Sequence, residues 1–319
     1  MDIYKTQAPI ASKRSWFLSL MVMLLVTIGV IFLMQGVAML LIPPIFQISL
    51  DEMVEMFTAP SQNPEAKMAI YFLQALASGG ALLLASLIIA KFVDKADFGW
   101  KQQMARFKFI GLLILLMVMF GGMLFNSLII DWNAGIQLPK ALEGIEKFMR
   151  DAEDQRMLMT KFLTDFESPK EFIVGLLVIG IIAGISEEVL FRGVLQPKMQ
   201  LYTGNIHVAV WLSAFIFSAI HMQFYGLFPR MVLGAIFGYL YFYSGSLLYP
   251  IIAHILNNSL TVTLVYLGKL GVIDFDIEKT DQVSWPFAIL GLLLLLISLM
   301  YFKDKHSYKL RDEKLAEGI

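Results

Sequence analysis

The chain predicts an all-α fold, a polytopic transmembrane helical bundle of about eight spans, and three observations carry that expectation. Hydrophobic residues fill 58% of its 319 positions and charged residues only 16%, with a mean hydropathy of +0.69. Soluble domains carry about 25% charged residues. Apolar runs of membrane-crossing length, about 20 residues, recur from one end of the sequence to the other. Lysine and arginine gather in alternate connections, as they do when successive loops lie on opposite sides of a bilayer.

The first apolar run starts near Trp16 and continues past Leu40. It exceeds the about 7–15 residues of a signal-peptide core and no Ala-x-Ala site ends it, so it is read as a retained span over about 16–42. Further spans are expected at roughly 69–93, 107–130, 172–197, 206–224, 228–244, 247–268 and 285–302. The later ones are shorter and interrupted by Gly, Pro and polar residues. The N-terminal arm carries Lys5, Lys13 and Arg14, and the loop after the second span Lys95, Lys101, Arg106 and Lys108. The C-terminal tail carries Lys303, Lys305, Lys309, Arg311 and Lys314. The intervening connections hold Asp51, Glu52 and Glu55, then Asp274, Asp276, Glu278 and Asp281. With eight spans this pattern places both termini in the cytoplasm of a multi-pass protein of the plasma, or inner, membrane.

The longest connection, 131–171, is not low-complexity. From Leu138 to Phe166, just after Pro139 begins it, Leu, Ile, Phe and Met recur at helical spacing among charged residues. An amphipathic helix lying on the membrane or capping the bundle is expected there, with a gate or substrate-docking element as the alternative. The chain then divides into spans 1–3 (residues 1–130), the connecting helix (131–171), a core of five spans (172–302) and a cytoplasmic tail (303–319). Net charge is −1, so no basic surface calls for nucleic acid. There is no cysteine, which excludes disulfides, thiolate metal sites and cysteine nucleophiles.

Charged side chains at the bilayer centre cost about 2.5–3.5 kcal/mol each on insertion scales, and here they are few and grouped in the last five spans. The fourth span contains Ser186-Glu187-Glu188-Val189-Leu190-Phe191-Arg192, the fifth Phe217-Ser218-Ala219-Ile220-His221, and the seventh His254-Ile255-Leu256-Asn257-Asn258. Glu188 and Arg192, four apart, share a helix face and can pair. Glu187 points about 100° away around the axis and is free to face a cavity. His254 and Asn258 also share a stripe. Three helices thus present groups that hydrocarbon cannot solvate, and convergence is the least costly arrangement. A glutamate beside a histidine can deprotonate a water or bind a metal that does so. A second histidine and an amide can donate to the oxyanion of a tetrahedral intermediate. The remaining polar residues have structural readings: Arg230, next to Pro229, is expected to snorkel at an interface, and Gly175, Gly180, Gly184, Gly234 and Gly238 suit close helix approach.

Glu-Glu-x-x-x-Arg, then Phe-x-x-x-His, then His-x-x-x-Asn, in that order on successive spans, resembles the CPBP family. That family includes the type II CAAX prenyl endopeptidases and the bacteriocin-processing or self-immunity proteins of the Abi family. The resemblance covers roughly residues 170–265, and the first 130 residues add nothing to it. It implies that Glu187 is the general base and that His221 helps hold the water or a metal. It implies further that His254 and Asn258 form the oxyanion pair, that Glu188 and Arg192 support the site, and that Phe217 packs. Glu187, His221 and His254 are the candidate ligands for a zinc ion, and the residues leave open whether one is used. The implied partners are the lipid bilayer and a membrane-associated peptide or protein substrate. Two other classes stand beside this intramembrane endopeptidase: a non-catalytic immunity or regulatory protein of the same fold, and a proton-coupled transporter. The transporter reading predicts repeated halves with broken helices, and the sequence has none.

Overall fold

The computed structural model describes residues 4, 7–8, 10, 12–58, 63, 65–277 and 283–306. Lys5, Glu278, Asp281, Lys309, Arg311 and Lys314, which entered the charge pattern, lie outside the described residues. The described residues form helices and turns and contain no strand. In chain order the helices are α1 (Trp16–Phe46), α2 (Leu50–Thr58), α3 (Ala66–Asp94), α4 (Trp100–Arg106), α5 (Ile110–Ala134) and α6 (Glu143–Thr164). They continue with α7 (Pro169–Thr203), α8 (Ile206–Ala219), α9 (Leu227–Ser244), α10 (Leu248–Lys269) and α11 (Trp285–His306).

All eight expected spans are helices at their expected places, but six are long and apolar enough to cross a membrane: α1, α3, α5, α7, α10 and α11. The expected span 206–224 is shorter than the sequence suggests. Helix α8 stops at Ala219 after 14 residues, about 21 Å at 1.5 Å per residue, against a hydrocarbon core of about 30 Å. The residues that follow, Ile220 to Gly226, fold into a turn with Met222 at φ 53°. Helix α7 is longer than expected in compensation, with 35 residues. It starts where Ser168 accepts a hydrogen bond from the Glu171 N–H and Pro169 occupies the first turn. It ends at Gly204, whose φ of +68° turns the chain into Asn205, the N-cap of α8.

The bundle has two chemically distinct ends. At one, the N-terminal arm, the end of α3, α4 and the end of α7 meet: Lys198 pairs with Asp94 at 2.6 Å, Tyr4 donates to Asp94 at 2.6 Å, and Gln103 accepts from the Leu247 N–H at 2.6 Å. At the other, Lys67 pairs with Glu171 at 2.8 Å, Lys269 with Asp165 at 2.5 Å, and Asn133 binds Phe224 O and Phe228 N, both at 3.1 Å. The connecting segment 131–171 holds the expected amphipathic helix, α6. It lies across this second end, where Glu153 accepts from Tyr225 N at 3.1 Å and from Gln223 at 3.4 Å. Arg150, itself hydrogen-bonded to Glu146, covers the Tyr225 ring at 4.2 Å.

Candidate active site

Helix α7 is not uniformly α-helical. Residues Leu176–Ile182 and Val189–Leu195 are π-helical, and the two carboxylates sit on the α segment Ala183–Glu188 between them. A wide turn shifts the hydrogen-bond register and frees carbonyls for other partners. Both π segments use one this way. The Ile179 carbonyl accepts from Asn258 Nδ2 at 3.0 Å, and the Phe191 carbonyl from Ser213 Oγ at 3.2 Å.

Close helix approach then sets the register. At Gly184 a Cβ would stand 2.8 Å from Ile255 Cγ1 and 3.0 Å from its backbone nitrogen, so only glycine lets α10 lie this near to α7. That contact brings His254 and Asn258 against the carboxylate segment. On the opposite flank, Gly234 of α9 leaves room for the Arg192 guanidinium; a Cβ there would lie 2.9 Å from Nη2. Arg192 Nη2 donates to the Gly234 carbonyl at 2.9 Å, and one turn on Gln196 donates to Gly238 at 3.0 Å.

The centre is a chain of charge and imidazole. Arg192 Nη1 donates to Glu188 Oε1 at 2.7 Å, and His254 Nδ1 reaches the same oxygen at 2.8 Å. A carboxylate paired with a guanidinium only accepts, so the proton of that bond belongs to Nδ1 and the far nitrogen Nε2 faces the other carboxylate. Nε2 stands 3.8 Å from Glu187 Oε2, too far for a direct hydrogen bond. Both atoms therefore keep bonding capacity toward a third oxygen. The two carboxylates differ in exposure as their 100° separation predicts: Glu188 is wholly buried, whereas the Glu187 side chain is 19% exposed. Aromatic rings wall the group. Phe237 stacks on His254 at 5.1 Å, and Phe217 stands edge-on to both His254 (5.9 Å) and His221 (5.2 Å) while receiving the Arg192 guanidinium at 4.7 Å.

Two of the sequence candidates are placed less directly. Asn258 uses one amide N–H on Ile179, and its carbonyl accepts from Asn257 at 3.2 Å, leaving one N–H. His221 lies on the turn after α8 and not inside a helix. Its Nδ1 bonds the Phe217 carbonyl at 2.8 Å, and among the described residues no hydrogen bond joins it to Glu187. Nor do any three His, Asp or Glu side chains among the described residues group as metal ligands do, so Glu187, His221 and His254 as placed do not fit a zinc ion.

Sequence reasoning missed one group. Arg230 does not snorkel outward: Nη2 donates to Gln223 at 2.8 Å, and Nη1 is buried without a hydrogen-bond partner. Its charge acts on Glu187, His221 and Glu153. The signal lay in His221 and Gln223, two polar residues that interrupt the apolar pattern where α8 gives way to a turn, on which Gln223 faces Arg230.

Residues 169–260 match the family model described as "Rce1-like: Type II CAAX prenyl endopeptidase Rce1-like". The matched stretch runs from the start of α7 into α10 and contains Glu187, Glu188, Arg192, His221, His254 and Asn258. No curated protein and no solved structure matches the chain.

Proposed function

From the premise that residues 169–260 are a CPBP-type intramembrane protease segment, we propose that this integral membrane protein is a glutamate-dependent endopeptidase. The observation that supports this reading most is the bridge of His254 between a buried, arginine-paired Glu188 and a partly exposed Glu187. Glu187 takes a proton from water as the water oxygen attacks the scissile carbonyl carbon. Negative charge gathers on the carbonyl oxygen, where His254, held at Nδ1 by Glu188, and the second N–H of Asn258 donate to it. The proton held by Glu187 passes to the leaving amine as the C–N bond breaks. His221 orients the water, and Arg192 holds Glu188 in place through the 2.7 Å bond to Oε1. The substrate is membrane-associated, and both termini of the enzyme lie in the cytoplasm, so reporter fusions at either end should give the same cytoplasmic signal.

The test is proteolysis in liposomes, with a prenylated CAAX peptide and its unprenylated counterpart as probes and products identified by mass spectrometry. Glu187→Ala should slow cleavage on the order of 10²–10⁴-fold while the protein remains folded. Native-rate cleavage by that variant would overturn the assignment. Since Glu187, His221 and His254 are not grouped as ligands, activity should survive chelation. Stoichiometric metal lost together with activity would replace the water-and-glutamate mechanism with a metal-assisted one.

A further inference from the structure

Helix α7 changes character at Glu187. Every residue from Glu188 to Met199 is buried, and this half is sealed by polar layers as well as apolar ones: Arg192 on Gly234, Gln196 on Gly238, Lys198 on Asp94. Between Glu188 and Met199 that half of α7 has no exposed residue. On the other side the same groups open. The Glu187 side chain is 19% exposed, Asn257, Asn258 and His221 are partly exposed, and Ile220 and Met222 beside His221 are 54% and 65% exposed.

The two directions also differ in charge. The sealed half of α7 ends beside the connection carrying Lys95, Lys101, Arg106 and Lys108, and Lys108 reaches the Lys305 carbonyl at the end of α11. The open half looks toward the end that holds Asp51, Glu52, Glu55, Asp131, Glu143, Glu146, Asp151, Glu153, Asp154, Asp165 and Glu167, with fewer cations among them. Basic connections stay in the cytoplasm.

We infer that the Glu187 site opens to the non-cytoplasmic face of the membrane, so that its substrate is a peptide segment presented from the outer side and not a cytoplasmic tail. Helix α6 roofs that opening through Glu153 and Arg150 on the Gln223–Tyr225 turn, and the substrate enters beside it. The word substrate rests on the protease reading; the direction of access does not.

The absence of cysteine makes the test direct. Asn257→Cys places a thiol in the opening, Leu158→Cys on α6, and Met104→Cys on α4 at the opposite end; Leu158 is 66% and Met104 60% exposed. A membrane-impermeant charged methanethiosulfonate is applied to spheroplasts and to inverted membrane vesicles. Asn257→Cys and Leu158→Cys should react in spheroplasts and not in inverted vesicles, and Met104→Cys the reverse. Should Asn257→Cys fail to fold, Met222→Cys gives the same readout. Reaction of the Asn257 thiol only in inverted vesicles, or from neither side of a folded protein, overturns the inference. Labelling does not depend on turnover and should persist in a Glu187→Ala background. A wrong direction therefore leaves the protease reading standing, and an inactive protein leaves the direction standing.

Discussion

Helix α7 carries two fully buried ion pairs, Glu188–Arg192 at 2.7 Å and Lys198–Asp94 at 2.6 Å. By burial and distance they are equivalent. By satisfaction they are not. Asp94 receives both its oxygens' worth of donors, from Lys198 at 2.6 and 2.8 Å and from Tyr4 at 2.6 Å, and its carbonyl binds the Gln7 and Ala8 N–H groups. In the other pair Glu188 Oε2 and Arg192 Nε remain without hydrogen-bond partners, and the bonded oxygen is shared with the His254 imidazole. A buried ion pair is weak evidence of purpose. Unfilled bonding capacity beside an imidazole separates the pair proposed to serve chemistry from the pair that fastens the N-terminal arm to α3 and α7.

Removing one partner should damage both pairs alike. Lys198→Met and Arg192→Met each leave an uncompensated buried carboxylate, and each should lower stability by about 3–5 kcal/mol, measured as loss of folded protein in detergent. A defect in only one would break the equivalence. Replacing whole groups should then separate them. The combination Tyr4→Phe, Asp94→Leu, Lys198→Met should recover folded yield and retain cleavage, because well-packed apolar replacements of buried pairs are often neutral or better. Glu188→Leu with Arg192→Met should recover folded yield but leave His254 unoriented, with turnover down by about 10²–10³-fold. If both combinations keep full activity, Glu188 is structural after all. A smaller effect isolates the arm: Tyr4→Phe removes one hydrogen bond to a charged group, about 1.5–3 kcal/mol, and should leave cleavage unchanged.

What the sequence disclosed follows the same division. Helix positions were legible because lipid demands long apolar runs, and the grouping of Glu187, Glu188, Arg192 and His254 because charge at membrane depth is costly. The Lys198–Asp94 pair was not legible. Asp94 sits beside Lys95 in a connection read for its basic charge, and nothing local links it to a lysine 104 positions away. The π segments of α7 leave no mark in residue periodicity, so the Ile179 carbonyl could not be foreseen as the partner of Asn258. His221 was placed in a span because its flanks are apolar, although α8 stops at Ala219 and the chain turns at Met222 with φ 53°. Arg230 was misread for the same reason, since its Gln223 partner had been assigned to a helix.

The smallest expected effect concerns the roof over the site, where Glu153 of α6 stands for a third kind of carboxylate, neither paired nor catalytic. Burial raises its pKa above the ordinary value of 4.5, and the Tyr225 N–H and the Arg230 charge only partly oppose that. A raised folded-state value means that the folded protein binds the proton more tightly than the unfolded chain. Stability linked to Glu153 is therefore greatest below about pH 4.5 and declines as pH rises through the folded value. Glu153→Gln keeps an oxygen to accept the Tyr225 N–H and removes the ionisation. Its melting temperature at neutral pH should equal or exceed that of the native protein, and the native decline between pH 4.5 and neutrality should be reduced. A lower melting temperature at neutral pH would show that the ionised carboxylate holds the Gln223–Tyr225 turn through Arg230, placing Glu153 with the satisfied pair at the other end of the molecule.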